Sequence, residues 1–99
     1  VSNEIEEEKE QPIDLALDQN YPNPFNPSTT INYAVPVQSK VRLEVFDLVG
    51  RKVAELVNGP KSAGLYTINF DASQLASGLY IYRLQVGNTI LTKKMTLIK

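Results

Sequence analysis

Y-P-N-P-F-N-P-S-T-T-I, from Tyr21 to Ile31, places three prolines, two asparagines and a phenylalanine directly before a β-branched run. Each proline fixes its own φ and disfavours the helical region for the residue before it, so Tyr21, Asn23 and Asn26 are driven to extended or turn conformations. No helix crosses such a segment. Pro22, Pro24 and Pro27 also lack a backbone donor, which keeps the segment out of a central strand and predicts a stiff edge or a connector between two strands. Phe25 is the large apolar group that would pin this corner to a core.

Outward from the corner the chain reads as short runs of period two separated by turn residues. Ile13, Leu15 and Leu17 alternate with Asp14, Ala16 and Asp18. On the other side, Ile31, Tyr33 and Val35 alternate with Thr30, Asn32 and Ala34 until Pro36. Val41, Leu43 and Val45 alternate with Lys40, Arg42 and Glu44, which predicts a third strand with those charges on its solvent side. In F-D-L-V-G-R-K-V, Phe46 to Val53, Asp47 is suited to bond local amides and Gly50 to take a positive φ, a hairpin connection into a strand over Val53 to Val57. Asn58-Gly59-Pro60 is expected to break that strand. Leu65 to Phe70 follows, with Tyr66, Ile68 and Phe70 on one face. Asp71 with Gln74 and a later Gly78 predicts a single helical turn. Gly78 to Val86 is the most apolar strand, with Tyr80 and Tyr82 on the core side. A two-residue loop at Gly87-Asn88 leads to a last strand from Thr89 to Lys99. Such spacing, without a long helix, predicts an all-β, seven-stranded antiparallel β-sandwich of immunoglobulin or fibronectin-III type.

Composition narrows the function classes. Among the 99 residues there is neither cysteine nor histidine, which removes disulfides, thiolate metal sites, a cysteine nucleophile and the commonest general base. No apolar run approaches the length of about 18 residues that crosses a bilayer. No charged, apolar, small-residue leader precedes the fold, so if the protein is exported its signal is expected on a longer precursor. Residues 1–12 carry five glutamates and one lysine, the composition of a flexible acidic linker, which makes residues 13–99 the folded domain. The domain then has six acids against nine bases, about +3, too few and too scattered to predict nucleic-acid binding.

A search for chemistry finds little. Ser28, Ser62, Ser73 and Ser77 have no histidine to activate them. Asp18, Asp47 and Asp71 sit at strand ends, where acids cap turns. Asn69 and Asp71 with a loop carbonyl would make a calcium site only without an EF-hand spacing. Tyr66, Tyr80 and Tyr82 would serve as a sugar-stacking platform if exposed, but their periodicity points them inward. Gly78-Leu79-Tyr80 has the look of a tyrosine corner, a structural device. No metal or cofactor is expected.

The ordered series Y-P-N-P-F-N-P-S-T-T-I, V-R-L-E-V-F-D-L-V-G-R-K-V, A-G-L-Y, F-D-A-S-Q-L-A-S-G-L-Y-I-Y-R-L and K-K-M-T-L-I-K resembles the type IX secretion system C-terminal sorting domain, type A, over Leu15 to Lys99. The pattern is also similar to the immunoglobulin-like domain of flagellar hook-capping proteins. The sorting-domain resemblance implies a non-catalytic signal for a covalently linked N-terminal cargo, exported through the periplasm to the cell surface or the medium. Its implied partners are the outer-membrane translocon, its shuttle protein and a sortase-like cysteine protease that cuts in or near Val1 to Pro12. It implies translocon recognition by motif residues: Pro22, Asn23, Pro24, Phe25, Asn26 and Pro27 in the corner, Gly50 and Arg51 in the hairpin, Gly78 and Tyr80 at a strand entry, and Lys94 and Lys99 around the terminal run. The competing reading is a non-catalytic immunoglobulin-like accessory module, a spacer or carbohydrate binder, of a secreted hydrolase.

Overall fold

A computed structural model describes residues 12–99, so the acidic segment read as a linker lies, apart from Pro12, outside the described residues. Two antiparallel sheets face each other. One has the order β1-β2-β5, from β1 (Ala16–Leu17), β2 (Ser28–Val35) and β5 (Gly64–Asp71); the other has the order β4-β3-β6-β7, from β3 (Ser39–Phe46), β4 (Lys52–Lys61), β6 (Gly78–Val86) and β7 (Thr89–Leu97). No helix occurs among the described residues.

The core follows from the alternation. Ile31, Tyr33 and Val35 from β2 and Phe70 from β5 meet Val41, Leu43 and Val45 from β3, Tyr80, Tyr82, Leu84 and Val86 from β6, and Met95 and Leu97 from β7, all buried. Side chains of one parity along each strand thus fill the space between the sheets. Leu79, of the opposite parity to Tyr80, is exposed.

Several expectations need correcting. The first strand is paired only over Ala16–Leu17, because its antiparallel register with Ala34 and Tyr33 brings Asp14 opposite Pro36, where β2 has ended and no donor is available. Asn58-Gly59-Pro60 does not break the fourth strand. β4 runs on to Lys61, opposite Ser39, because it is an edge strand and loses no ladder bond on its open side to a proline. Two register shifts in β4, against Leu43/Glu44 and Val45/Phe46, take up the extra residues. Residues 71–78 make no helical turn: Asp71 Oδ1 accepts from Ser73 N at 2.9 Å and Leu75 N donates to Ala72 O at 2.9 Å, after which Gly78 starts β6 opposite Leu97. β7 stops at Leu97, two residues short of the expected end. The hairpin after β6 is as expected, with Gly87 at φ 59° and Asn88 at negative φ, the pattern of a type II′ turn.

Truncating an inward residue removes packed apolar volume that the sandwich cannot refill. Val45→Ala and Leu84→Ala are each expected to destabilise by roughly 2 to 4 kcal/mol in urea unfolding, and Leu79→Ala by clearly less. A loss at Leu79 equal to that at Leu84 would contradict the strand phase described here.

Candidate functional site

The chain leaves β1 still paired to β2. Asp18 N donates to Asn32 O at 3.0 Å, and Tyr21 and Thr30 exchange backbone bonds of 3.0 and 2.9 Å. The prolines then carry it across to the other sheet. There Phe25 N donates to Thr96 O and Ile98 N donates to Phe25 O, both at 2.9 Å, while Asn23 Oδ1 accepts from Thr96 N at 2.9 Å. Phe25 is thereby a one-residue parallel bridge beside Leu97 on the edge of β7. Its ring is buried, 6.3 Å from the ring of Phe70. Beyond it, Pro27 O accepts from Ala72 N at 2.8 Å, which fastens the loop before β6 to the same corner.

A polar knot backs this corner. Asn20 is buried, and its Nδ2 donates to Pro22 O at 3.1 Å and to Thr29 Oγ1 at 3.0 Å, with Thr29 Oγ1 donating to Pro22 O at 2.8 Å. Tyr82 reaches across from β6: its hydroxyl donates to Asp18 O at 2.6 Å and accepts from Asn20 N at 2.8 Å. Each buried polar atom so named has a partner, which removes the desolvation penalty an unmet group would carry. Burial pushes the Tyr82 phenol up to about 12, against the opposing bond from Asn20 N. Nothing in the sequence singles out Asn20 or Thr29.

The motif residues converge on one end of the sandwich. Pro22, Asn23, Pro24 and Asn26 are exposed and Pro27 half-buried around the buried Phe25. Gly78 sits opposite Leu97, the residue Phe25 flanks, with φ at 155°, a conformation side chains rarely adopt. Tyr80 is buried and its hydroxyl donates to Ala76 O at 2.6 Å, the bond of a tyrosine corner. Lys99 Nζ donates to Ser73 O at 2.6 Å and Lys99 N to Ser77 Oγ at 3.0 Å, closing the loop over the strand end. Gly50, at φ 91°, and Arg51 lie in the turn between β3 and β4, where Asp47 Oδ1 accepts from Val49 N and Arg51 N and Asp47 Oδ2 from Arg51 Nε. Lys94 is exposed on β7 and falls on one lateral row with that turn, Lys52–Phe46–Ile81–Lys94. Phe25 and Tyr80 offer little surface to any partner; the exposed prolines, asparagines, glycines and basic residues around them do.

Glu44 is the largest departure from the sequence reading. It points to the outer face of the four-stranded sheet as alternation demands, yet it is buried, because Arg42, Lys52 and Arg83 fold over it at 3.1, 3.3 and 3.0 Å. Burial pushes its carboxyl upward, but the bonds from Arg83, Arg42 and Lys52 outweigh this and hold it below the usual range. The available signal was Arg42 at the i−2 position, on the same strand face.

Among the described residues, no group of three or more acids gathers as a metal site would need. Asn69 Oδ1 accepts from Thr30 Oγ1 and Asp71 Oδ1 from Ser73 N, so of the two residues weighed as calcium ligands one ties β5 to β2 and the other holds the loop after β5. Tyr80 and Tyr82 are core residues, and Tyr66, half-buried, stacks on Tyr33 with centroids 5.2 Å apart while Lys61 approaches its ring at 5.7 Å. Among the described residues, no helix is long and apolar enough to cross a membrane.

Residues 19–99 match the family described as the secretion system C-terminal sorting domain. Comparison with curated proteins finds no match. Among solved structures, the chain is similar to PorZ, described as an essential bacterial surface component of the type IX secretion system of Porphyromonas gingivalis, with a TM-score of 0.56 and 16% identity. That likeness, one of fold, covers 99% of this chain but 12% of PorZ.

The Tyr82 hydroxyl yields a pH-dependent expectation. A phenol whose value is raised on folding contributes stability that is complete below the unfolded value near 10 and is lost as pH rises toward about 12. Tyr82→Phe leaves the buried Asn20 N and Asp18 O unmet and is expected to cost about 1 to 3 kcal/mol at neutral pH. In denaturant titrations at pH 7 and 11 that deficit should shrink at the higher pH; a deficit independent of pH would contradict the assignment.

Proposed function

From the premise that this chain belongs to the family of secretion system C-terminal sorting domains, we propose that it directs a covalently linked, N-terminal cargo through the type IX translocon to the cell surface or medium. The observation that carries this reading is the convergence of the corner, the Gly50 turn, the Gly78 loop and the end of β7 on one end of the sandwich, within the span of the family match. These pieces are far apart in sequence, and a receptor could contact them together. The route runs through the periplasm. The shuttle protein and translocon recognise the exposed corner and turn residues Pro22, Asn23, Pro24, Asn26, Pro27, Gly50 and Arg51, with Lys94 and Lys99 supplying charge, while Phe25, Gly78 and Tyr80 hold that surface in shape. A sortase-like cysteine protease then separates cargo from signal in or near the acidic residues 1–12. The domain comprises residues 13–99 and is a sandwich of immunoglobulin or fibronectin-III type, a reading supported by the Tyr80 corner.

Strand capture at β7 is possible only in part. The corner already occupies the outward backbone groups at Thr96 and Ile98, and Gln19 Nε2 occupies Lys94 O. By period two, the open edge is that of Ile90 and Thr92.

The role is one of ligand and substrate, with the chemistry supplied by the protease. The isolated domain is accordingly expected to hydrolyse no peptide, ester or glycoside above background; turnover that survives repurification and follows the folded protein would count against the reading.

Export is tested by fusing Ile13 to Lys99 behind a periplasmic reporter in strains with and without the translocon. The reporter should reach the surface only with the translocon. Lys94→Ala combined with Lys99→Ala should leave the melting curve nearly unchanged, since exposed substitutions shift stability by about 0.5 kcal/mol or less, and should trap reporter in the periplasm. Normal surface display of the double variant would leave these lysines a solubility role alone.

A further inference from the structure

Charge is segregated between the two sheets. All nine basic side chains of residues 12–99 lie on β3, β4, β6 and β7 or on the turn and tail attached to them, with Glu44, Asp47 and Glu55; nine bases against three acids leaves +6. The three-stranded sheet and its flanks carry Asp14, Asp18 and Asp71 and no base. The small overall charge hides this polarity.

The three acids on the basic side are already engaged locally, Glu44 with Arg42, Lys52 and Arg83, Asp47 with Arg51, and Glu55 with Lys52. Glu44 therefore acts as a template: one buried carboxylate holds three cations on the outer face, in excess over it. Each arginine gives Glu44 one of its terminal nitrogens and keeps its Nε buried, so its other terminal nitrogen is the donor left for a further acceptor. Beside them Phe46, Leu48, Ile81 and Thr92, with Gly50, Arg83 and the Arg51-paired Asp47, line an open cleft of about 280 Å³, where Arg83 lies 4.6 Å from the Phe46 ring. Leu48, one of the lining residues, is 60% exposed.

We propose that the outer face of the four-stranded sheet docks an acidic segment of a partner protein, its carboxylates on Arg42 and Arg83 and an apolar side chain in the Phe46–Ile81 cleft. A protein segment is favoured over an anionic lipid surface because Glu44 holds Arg42 and Arg83 at fixed positions beside a largely apolar cleft sized for one or two side chains, with Arg83 at its edge. A headgroup plane would use diffuse charge and leave the cleft empty. Relief of self-repulsion within a +6 sheet adds to the affinity and makes it sensitive to salt. The inference goes beyond the sorting reading, which assigns Lys94 and the Gly50 turn at the rim of this face but neither the Glu44 cluster nor an acidic ligand.

The test titrates the full chain against a short fluorescein-labelled peptide of glutamate and leucine, by anisotropy, at low and physiological salt. Its controls are the same peptide with glutamine for glutamate and vesicles rich in phosphatidylglycerol. The variant Arg42→Gln with Glu44→Gln and Arg83→Gln removes the cluster without stranding a buried charge. Binding of the acidic peptide that weakens at least about tenfold in this variant and in salt, but not in Asp14→Asn with Asp18→Asn, is the expected result. Should the triple variant fail to melt as a folded protein, Lys52→Gln with Lys94→Gln, which leaves both arginines on Glu44, is read instead and should weaken binding severalfold. Equal binding by wild type and variant, equal binding of the glutamine peptide, no binding by wild type, or uptake by vesicles alone would each overturn the proposal. Because the readout is binding by the purified chain, failed reporter export would sink the sorting reading and leave this result standing.

Discussion

The reciprocal backbone bonds of Phe25 with Thr96 and Ile98 are the constraint on which the rest of the structure depends. They join the connector of one sheet to the last strand of the other. Without them the two sheets would be held mainly by side-chain packing, and β7 would expose an unpaired edge along its whole length. With them, a residue early in the domain and one near its end become neighbours, and the Phe25 ring is delivered to the core beside Phe70. Burying such a ring contributes about 2 to 3 kcal/mol, and that contribution is available only because the prolines aim it.

The knot behind the corner follows the same logic at the level of polar atoms. A connector that dives between sheets brings carbonyls and amides out of water, and each must be met. Asn20, Thr29 and the Tyr82 hydroxyl meet them from three separate parts of the chain. Specificity comes from this requirement: another inward residue at position 82 would fill the volume, but only a phenol both donates to Asp18 O and accepts from Asn20 N. Tyr80 and Tyr66 repeat the device locally, each bonding the carbonyl four residues upstream.

Electrostatics is organised by burial. Glu44 lies on a central strand between β4 and β6, so its neighbours on the outer face come from three strands. A carboxylate there is tolerated because the arginine and lysine side chains that cover it also compensate it, and their stems shield it from water. The result is a rigid basic face on one side of a domain whose other sheet is neutral to acidic.

Much of the fold was legible in the sequence because it depends on period-two alternation and on turn chemistry, which are local. The inward sets at 31–35, 41–45 and 80–86, the Asp47–Gly50 turn and the Gly87 hairpin were all written in single residues with one physical meaning. Where the reading failed, the deciding neighbour was remote. Pro60 breaks a central strand but not an edge strand, and only the sheet order makes β4 an edge. Leu15 and Asp14 have strand-like alternation, but Pro36 denies them a partner. Glu44 looks solvent-facing until Arg83, 39 residues away, is laid across it. The corner shows both sides: the prolines by themselves determined that the chain must turn and that Phe25 would anchor it. That the anchor closes on Thr96 and Ile98, and so gathers distant motif residues at one end, was decided by sheet pairing, because a hydrogen bond between residues more than seventy positions apart leaves no trace in the local preferences of either.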